Sequence, residues 1–436
     1  MITPAGSGDG NNIGPSAGNL AQMSGPGHLP LENNDPSQRM DWLLMLRVQS
    51  PSRAVKKYRI LHTDSARHMG GQEIYTYRHM LAMRERGHEM SLLCQSGTPL
   101  EQRVRAAGFT VHTLKMGGMA RWVRGVFAVN RLVRAERYDI VHTTSRRDTL
   151  IAAAGARLAG VPLVVRTRHL MNPINSLLSY TWLPHRLLTV SEFVRDYMVS
   201  RGIPRHHIGI ASPTVTFPEE RWGSGEDVAV HRERTRRSAR LALGMTEADI
   251  VVGCVAILRP AKGHRDLLAA MGPLFRRHAG LKLVIAGDGE VVERALRAQA
   301  AEMGVADRVM FLGYRADVAD LMFGFDIFAL ATHMEASGTA VLEAAAAGLP
   351  IVATDVGGVP EMAVRDGNAL LCPLGDTAAL TAALEALVAD GERRRAMGLA
   401  GWDWIRGEAR FTLPGQAELI ERYYAKWLSE RGYDIC

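Results

Sequence analysis

Residues 326–358 read DIFALATHMEASGTAVLEAAAAGLPIVATDVGG, and they carry the clearest fold signal in the chain. The apolar runs at 326–332 and 350–355 each predict a buried strand. Between them, AVLEAAAAG has helix-forming residues, with Thr339 as N-cap or first-turn residue and Gly348 as the stop. A strand, a helix and a second strand in this order predict a parallel βαβ unit.

The same alternation occurs twice along the chain. Strand-like runs separated by helical segments lie on either side of an irregular, charged stretch; they are 58–64, 89–95, 139–144, 162–169 and 187–191 before it, and 249–258, 281–287, 309–313, 326–332 and 350–355 after it. We therefore expect an α/β protein with two doubly wound parallel sheets. The expected division is a first domain at 56–215, a linker at 216–248, a second domain at 249–410, and a C-terminal helix at 411–436 able to pack back on the first domain.

The segment 1–55 does not look like part of either domain. Its first 38 residues are rich in Gly, Ser, Pro and Asn without apolar periodicity, which predicts disorder. Residues 41–48 could form one short helix. We interpret this segment as a leader or an overlong translation start, and we expect residues 1–38 to be dispensable.

Composition excludes several classes of protein. The 436 residues are 47% hydrophobic and 22% charged, as in ordinary soluble globular proteins. The longest weakly charged run, 150–165, is too short to span a membrane, and no secretory signal is visible. The cysteines lie far apart without a C-x-x-C pair, which argues against a zinc site or disulfide framework and favours the cytoplasm: Cys94, Cys254, Cys372 and Cys436.

Charge is distributed unevenly between the halves. Residues 56–215 carry 24 Lys and Arg against 10 Asp and Glu, whereas residues 216–436 carry 25 against 31. A basic half suits phosphate-bearing partners, such as an anionic membrane or a phosphorylated glycan. Helix 121–137 has arginines beside an apolar stripe of Trp122, Val126, Val129 and Val133, so it suits either a membrane surface or the protein core.

Two carboxylates eight residues apart flank the predicted start of the 339–347 helix. Glu335 lies in the loop before the helix and Glu343 lies one turn inside it. The free N–H groups of a first helical turn bind anions, and carboxylates accept hydrogen bonds from sugar hydroxyls. This arrangement suits a nucleotide-sugar, which has hydroxyls at both ends and a diphosphate in the middle. A capped surface helix with two solvated glutamates is the alternative reading of the spacing alone.

The stretch 335–361 resembles the signature of the glycosyltransferase group 1 family (family 4, retaining), in which two glutamates with seven residues between them are followed by alanine-rich sequence and a GG-x-P-E segment. MGGQE, DIVHTTS, VVRTRH, LLTVSEFV, LRPAKGH, VIAGDGE and VMFLGY are similar to the family too, so the resemblance spans about residues 57–430. It implies a GT-B fold, with two Rossmann-like domains facing across a cleft. It also implies transfer of a sugar from a nucleotide-sugar, bound by the second domain, to an acceptor on the side of the first domain. Within the family, the sequence most resembles members that act on lipopolysaccharide core or related envelope glycans.

The resemblance assigns roles to residues of the second domain. Glu343 matches the glutamate that holds the ribose, and Glu335 matches the one near the donor sugar. Lys262 matches the lysine that neutralises the diphosphate; the family's usual arginine position holds Ile257 here, so Arg259 is the expected substitute. The backbone expected to meet the diphosphate or sugar is that of Gly338, Thr339 and Ala340, and Gly287 belongs to a loop expected to form a wall of the nucleotide pocket.

In the first domain, Gly70 and Gly71 match the loop that closes over the donor. His169 matches a histidine near the donor sugar or acceptor, although a structural histidine is an equal alternative. His142 is a weaker candidate, because Thr144 stands where many members have a second histidine.

No Asp-x-Asp metal signature is present, so we expect no cofactor and no metal, with Arg259 and Lys262 supplying positive charge at the leaving diphosphate. The expected partners are a nucleotide-sugar and a glycan or lipid-linked acceptor, with possible contact to the inner face of the cytoplasmic membrane and no nucleic acid. Two alternatives stay open: a nucleotide-sugar epimerase, which needs no acceptor, and a noncatalytic protein that binds anionic membranes or nucleic acid.

Overall fold

The structure is a computed structural model that describes residues 56–116, 119–217 and 228–433. The expectations for residues 1–55 fall outside these ranges. Within the described chain, no helix is long and apolar enough to cross a membrane.

The first lobe is built on seven parallel strands in the order β3-β2-β1-β4-β5-β6-β7. They are β1 (Arg59–Thr63), β2 (Glu89–Cys94), β3 (Thr110–Thr113), β4 (Ile140–Thr143), β5 (Leu163–Arg168), β6 (Arg186–Thr189) and β7 (Ile208–Ile210). Strands β4 and β5 are buried along their whole length, as expected for a parallel sheet covered by helices on both faces.

Among the described residues, the helices between these strands are α1 (Gly71–Glu85), α2 (Pro99–Ala106), α3 (Met119–Glu136), α4 (Arg146–Asp148 and Ala154–Ala159, joined by a π-helical turn at Thr149–Ala153) and α5 (Glu192–Ser200). A π-helical turn at Leu178–Trp182 and a 3₁₀ turn at Arg205–His207 complete the lobe. In α3, Val126, Val129 and Val133 lie in the core. Three of the four residues of the apolar stripe are therefore packing residues, whereas Trp122 is exposed at 37%.

The second lobe has six parallel strands in the order β10-β9-β8-β11-β12-β13. They are β8 (Ile250–Val255), β9 (Leu281–Ala286), β10 (Val309–Phe311), β11 (Ile327–Leu330), β12 (Ile351–Thr354) and β13 (Ala369–Cys372). Its helices are α6 (Val228–Ala242), α7 (His264–Arg277), α8 (Glu290–Glu302), α9 (Val318–Leu321), α10 (Thr339–Ala346), α11 (Thr377–Ala389) and α12 (Gly391–Gly407).

Both sheets reverse their strand order once, so the prediction of two doubly wound parallel sheets is confirmed. The reversal lies between β1 and β4 in the first lobe and between β8 and β11 in the second. Loops that leave the two neighbouring strands at such a point run in opposite directions and open a crevice at the carboxyl ends of the strands. The predicted site residues follow these four strands or their neighbours.

The stretch predicted to be irregular, 216–248, contains helix α6. Two of its arginines are held by the second lobe, since Arg236 and Arg240 donate to the Asp326 carboxylate at 2.8 Å and 3.1 Å, just before β11. Arg240 is almost fully buried, with 1% of its surface exposed. The charged sequence of this helix led to its prediction as a linker. In the structure, the ion pairs of Arg236 and Arg240 with Asp326 attach the helix to the second lobe.

The last helix, α13 (Leu413–Ser429), packs on the first lobe although it follows the second in the chain. The Tyr424 hydroxyl lies 2.6 Å from Nδ1 of His142, and Glu421 pairs with Arg86 and with His88. Ile420 joins the apolar core beneath β1 and β2. The first lobe is therefore completed by the end of the described chain.

Candidate active site

The loops that follow β8 and β11 are joined at the switch point of the second lobe. The Lys262 ammonium contacts the Glu335 carboxylate, with both side chains half-buried. The backbone N–H of His333 donates to the Ala261 carbonyl at 2.8 Å. Two predicted site residues that lie 73 positions apart in the chain thus form one ion pair.

Gly263 allows the lysine loop to lie this close to β11. Its φ is +65°, and a Cβ built there would lie 1.7 Å from the Ala331 carbonyl oxygen. Such a contact cannot be relieved by side-chain motion because the obstacle is backbone. Only glycine fits, and the position of Lys262 depends on it.

The Gly-Gly turn after β12 supports the glutamate loop in the same way. The Gly358 N–H donates to the Glu335 carbonyl at 3.1 Å. A Cβ on Gly357 would lie 2.1 Å from that same oxygen. The two ends of the stretch 335–358 therefore pack against each other, which fixes the backbone that carries Glu335.

Helix α10 begins where the sequence predicted. Gly338 is its N-cap, with φ at +86°, and Thr339 is the first helical residue, exposed to solvent. Ala340 follows it and is half-buried. The first-turn N–H groups of a helix have no intrahelical acceptor, so those of Thr339 and Ala340 are free to meet an anion between Glu335 and Glu343.

Glu343 lies one turn inside α10 and faces the other lobe. Burial raises the pKa of its carboxyl, and the positive charge of Arg78 on α1 opposes that rise. A carboxylate kept partly from water and close to a cation is well suited to accept hydrogen bonds from hydroxyl groups. Arg78 was missed from the sequence because helical periodicity does not show which face of α1 meets the second lobe.

Arg259 is exposed and precedes the 3₁₀ turn Pro260–Lys262. Its backbone carbonyl accepts from the Lys262 N–H at 2.9 Å, so the turn is capped by its main chain. Within the described residues, its guanidinium makes neither a hydrogen bond nor an ion pair. The side chain is therefore a cation available to a ligand beside Lys262.

Gly287 supports that loop from β9. A Cβ at this position would lie 1.9 Å from the Ala256 carbonyl oxygen, and the Leu258 N–H donates to the Asp288 carbonyl at 2.9 Å. The loop after β9 thus packs directly on the segment that leads to Arg259. Its observed role is to position that backbone.

In the first lobe, Gly70 and Gly71 lie at the start of α1, beyond the end of β1. The Gly70 N–H donates to the Glu73 carboxylate at 2.7 Å, and Gly71 is exposed. The loop is therefore held at its base, while the backbone of Gly71 stays accessible.

His169 follows β5 and stands against the ring of Tyr75, with 4.6 Å between ring centroids. Burial lowers the pKa of His169 to about 4, so the imidazole is neutral at physiological pH. Its Nε2 has no hydrogen-bond partner among the described residues. His142, by contrast, lies fully buried below the cleft, with both ring nitrogens within 2.6 Å of a hydroxyl.

The lobes contact each other directly beside these residues. The Ser191 hydroxyl donates to the Ala336 carbonyl at 2.5 Å. The Glu361 carboxylate accepts from the backbone N–H groups of Glu192 and Phe193 at 2.7 Å and 2.8 Å, which caps α5 from the other lobe. Burial raises the pKa of Glu361 to about 7. The sequence predicts neither of these contacts between the lobes. It shows Glu361 only as the last residue of the GG-x-P-E segment.

Solved structures share this two-lobed arrangement. A glycosyltransferase from Rickettsia africae ESF-5 has a TM-score of 0.76 at 17% identity, over 86% of this chain and 99% of that one. WaaG, a glycosyltransferase involved in lipopolysaccharide biosynthesis, has a TM-score of 0.61 at 17% identity, over 83% and 99%. Two doubly wound sheets that meet at their carboxyl ends define the GT-B class of glycosyltransferase folds.

Sequence profiles place a family domain in each lobe. Residues 69–216 match the profile described as Glycosyltransferase Family 4, and residues 249–390 match the one described as Glycosyl transferases group 1. The chain therefore belongs to the group 1 and family 4 glycosyltransferases.

Curated relatives carry two kinds of description. The chain is 35% identical over 245 residues to the D-inositol 3-phosphate glycosyltransferase of Nocardia farcinica (strain IFM 10152), over 54% of this chain and 51% of that relative. It is 29% identical over 350 residues, 75% of this chain and 87% of the relative, to a GDP-mannose-dependent alpha-(1-6)-phosphatidylinositol monomannoside mannosyltransferase of Mycobacterium tuberculosis (strain ATCC 25618 / H37Rv). The chain thus spans about half the length of the first curated relatives it matches, at 45% and 51%.

Proposed function

We propose that this protein is a retaining glycosyltransferase that moves a sugar from a nucleotide-sugar to an envelope glycan or lipid-linked acceptor. The observation that carries the proposal is the contact of Lys262 with Glu335 at the switch point, next to the open N-terminus of α10. A cation, N–H donors and a carboxylate close together are the groups that a diphosphate-linked sugar requires, and this supports the proposal.

The donor occupies this site with its ribose toward Glu343. Its diphosphate meets the first-turn N–H groups of α10 together with Lys262 and Arg259, and its sugar lies at Glu335. The arriving diphosphate competes for the Lys262 ammonium, which releases the Glu335 carboxylate to accept from sugar hydroxyls. Each group thereby exchanges a protein partner for a part of the substrate.

Negative charge builds up on the departing diphosphate in the transition state, and the site must stabilise that charge. Fixed cations and N–H donors aimed at that charge stabilise the transition state without a covalent step. We further propose that the diphosphate needs no divalent ion, since Lys262 and Arg259 provide two positive charges. Turnover should then persist in EDTA; a loss that added Mg²⁺ reverses would contradict this.

The first lobe offers a basic surface to the acceptor. Arg67 follows β1, and Arg146 and Arg147 follow β4, all three exposed at the carboxyl ends of adjacent strands. Charges placed there suit an acceptor that carries phosphate. The relatives named after inositol 3-phosphate and phosphatidylinositol monomannoside support an acceptor of this kind.

A membrane-bound acceptor would require the protein to approach a lipid surface. The outer side of α3 exposes Phe127 and Val123, at 66% and 42%, among Arg124 and Arg131. Aromatic and basic residues on one exposed helical face suit peripheral contact with an anionic membrane. Cosedimentation with anionic vesicles tests this contact. If the protein does not cosediment at low salt, the proposal of membrane contact is wrong.

Thermal stabilisation by a panel of nucleotide-sugars tests the function. A donor present at 100 times its Kd stabilises the fold by about 2.7 kcal/mol. Glu343→Ala should lose that stabilisation, whereas Glu302→Ala on the exposed side of α8 should keep it. The donor so identified is then assayed with phosphorylated acceptors; conversion of the donor alone would indicate an epimerase, and no stabilisation by any donor would contradict the proposal.

A further inference from the structure

Three histidines meet in the interior of the first lobe, below the cleft. His62 on β1 and His142 on β4 are partners in the strand register, and His79 joins them from α1. None of the three exposes any surface to solvent. We call these residues the histidine cluster.

Most of the hydrogen-bonding capacity of the cluster is unused. Both ring nitrogens of His62 and both of His79 are buried without a hydrogen-bond partner among the described residues. A neutral imidazole has one donor and one acceptor, and buried polar atoms in folded proteins are almost always paired. Four unpaired ring nitrogens in one buried cluster are the pattern expected of side chains that bind a ligand.

The spacing of the rings fits one metal ion. Ring centroids lie 4.6 Å apart for His62 and His142, 5.6 Å for His62 and His79, and 5.8 Å for His79 and His142. Three imidazoles on a tetrahedral zinc ion, with Zn–N of about 2.0–2.1 Å, have centroids about 5 Å apart. One ring nitrogen from each histidine lies within 4.8 Å of the others. The His62 and His142 rings are stacked with 26° between their planes, so these rings must turn about their side-chain torsions for both nitrogens to reach a common ion.

We propose that His62, His79 and His142 bind a late first-row transition metal ion of the zinc type inside the first lobe. Imidazole nitrogen is a preferred ligand of such ions, and three histidines with a fourth position left to water form a recurrent ligand set. His142 has one nitrogen near the Tyr424 hydroxyl and the other near the Thr167 hydroxyl. On binding the ion it would give up one of these partners and keep the other, which would hold the ring in place.

The protonation state of the cluster agrees with this site. Burial lowers the pKa of His62 and His142 well below the usual range, and lowers that of His79 to about 3. All three imidazoles are therefore neutral at physiological pH, which is the form that binds metals. The site consists of nitrogen ligands, so it differs in chemistry and place from the diphosphate site, and it stands independently of the proposed function.

The sequence gives no hint of this site. Its members are separated by 17 and 63 residues and belong to three different elements. They come together because β1 and β4 are neighbours in the sheet and α1 packs over them.

The test uses the full chain without an affinity tag. The protein is stripped with a chelator, dialysed and titrated with Co²⁺, whose visible d–d absorption reports low coordination numbers. We expect one equivalent to bind with a tetrahedral-type spectrum, Zn²⁺ to displace it, and X-ray absorption of the zinc form to show nitrogen ligands. Absence of a low-coordinate Co²⁺ spectrum, or of bound zinc after reconstitution, would overturn the proposal.

Variants identify the ligands. His79→Gln should weaken Zn²⁺ binding by at least about 100-fold, because it removes one of three protein ligands. His206→Gln changes an exposed histidine of the same lobe and should leave the affinity unchanged. Wild-type affinity in a folded His79→Gln protein would overturn the assignment. If that variant does not fold, the X-ray absorption spectrum of the wild-type zinc form is used instead. A spectrum without histidine nitrogen ligands would also overturn the proposal.

Discussion

Lys262 and Glu335 form an ion pair, so removal of either side chain leaves the other without its partner. Lys262→Ala leaves the Glu335 carboxylate half-buried without its cation and removes one charge from the diphosphate site. We expect kcat to fall about 10²–10³-fold, as when other preorganised transition-state donors are removed. Lys426→Ala on the exposed side of α13 is the control. A near-normal kcat in Lys262→Ala would exclude the lysine from the chemistry.

Arg259 offers a cleaner comparison, because its side chain has no partner among the described residues. Arg259→Ala should change the free energy of unfolding by less than about 0.5 kcal/mol, as surface substitutions usually do. Turnover should nevertheless collapse, since in the proposed donor complex the guanidinium meets the developing charge. Melting temperature and kcat measured on one preparation separate the possibilities. A destabilised variant with normal turnover would mean that the side chain supports only the loop.

Glu343 is expected to act on binding more than on rate. A ribose contact is made equally in the ground state and the transition state, so its loss weakens affinity without slowing chemistry. Calorimetry of Glu343→Ala with nucleoside diphosphates should show weaker binding, with kcat at saturating donor nearly unchanged. Glu335→Ala should show the opposite split, a lower kcat with retained nucleotide affinity. Equal nucleotide affinities in wild type and Glu343→Ala would contradict the assignment.

At the scale of elements, the capping of α5 by Glu361 of the other lobe makes the stability of the protein depend on pH. Its pKa is raised from about 4.5 in the unfolded chain to about 7, so the folded protein binds the proton more tightly. The resulting stability is fully present below pH 4.5 and is lost as the pH rises through 7. The melting temperature of Glu361→Gln should therefore not show this fall in stability as the pH rises through 7. Identical profiles for wild type and variant would exclude Glu361 as the titrating group; Glu302→Gln is the control.

The loss of this cap should also affect the distance between the lobes. Gln has one carbonyl oxygen for the two N–H groups of Glu192 and Phe193, so Glu361→Gln leaves one of them poorly satisfied. We expect small-angle scattering to give a larger radius of gyration for this variant without donor. A radius unchanged from wild type would show that Ser191 and the surrounding packing suffice to hold the lobes together.

The elements recovered from the sequence were those with long apolar runs. Strands such as β4 and β8 are buried on both faces, and their composition reveals them without tertiary information. Strands β3, β7 and β13 were missed; each has three or four residues and lies at an edge of its sheet. Helix α6 was missed because only the structure shows its arginines paired with Asp326.

At the candidate site, the motif residues could be placed from the sequence, whereas their partners could not. Lys262 and Glu335 were each predicted separately, and their ion pair follows from the adjacency of β8 and β11. Arg78 and Ser191 come from the other lobe and depend on how the two lobes dock. Local patterns in a sequence do not contain that information.

For the whole molecule, α13 makes the stability of the first lobe depend on a distant part of the chain. Ile420→Ala removes a fully buried side chain from the first-lobe core and should cost about 2–5 kcal/mol. Amide exchange should accelerate in β1 and β4 and stay unchanged in β12. Leu384→Ala, buried in the second lobe, should give the opposite pattern. Uniform acceleration in both lobes would show that they unfold as one unit.

The position of α13 also affects the order of events during synthesis. The strands of the first lobe leave the ribosome first, yet Ile420, Tyr424 and Trp427, which fill part of their core, are among the last residues of the described chain to emerge. Until then the nascent chain carries an unfilled apolar surface, which is the kind of surface that chaperones hold. The half of the protein that is translated first is thus the half that finishes folding last.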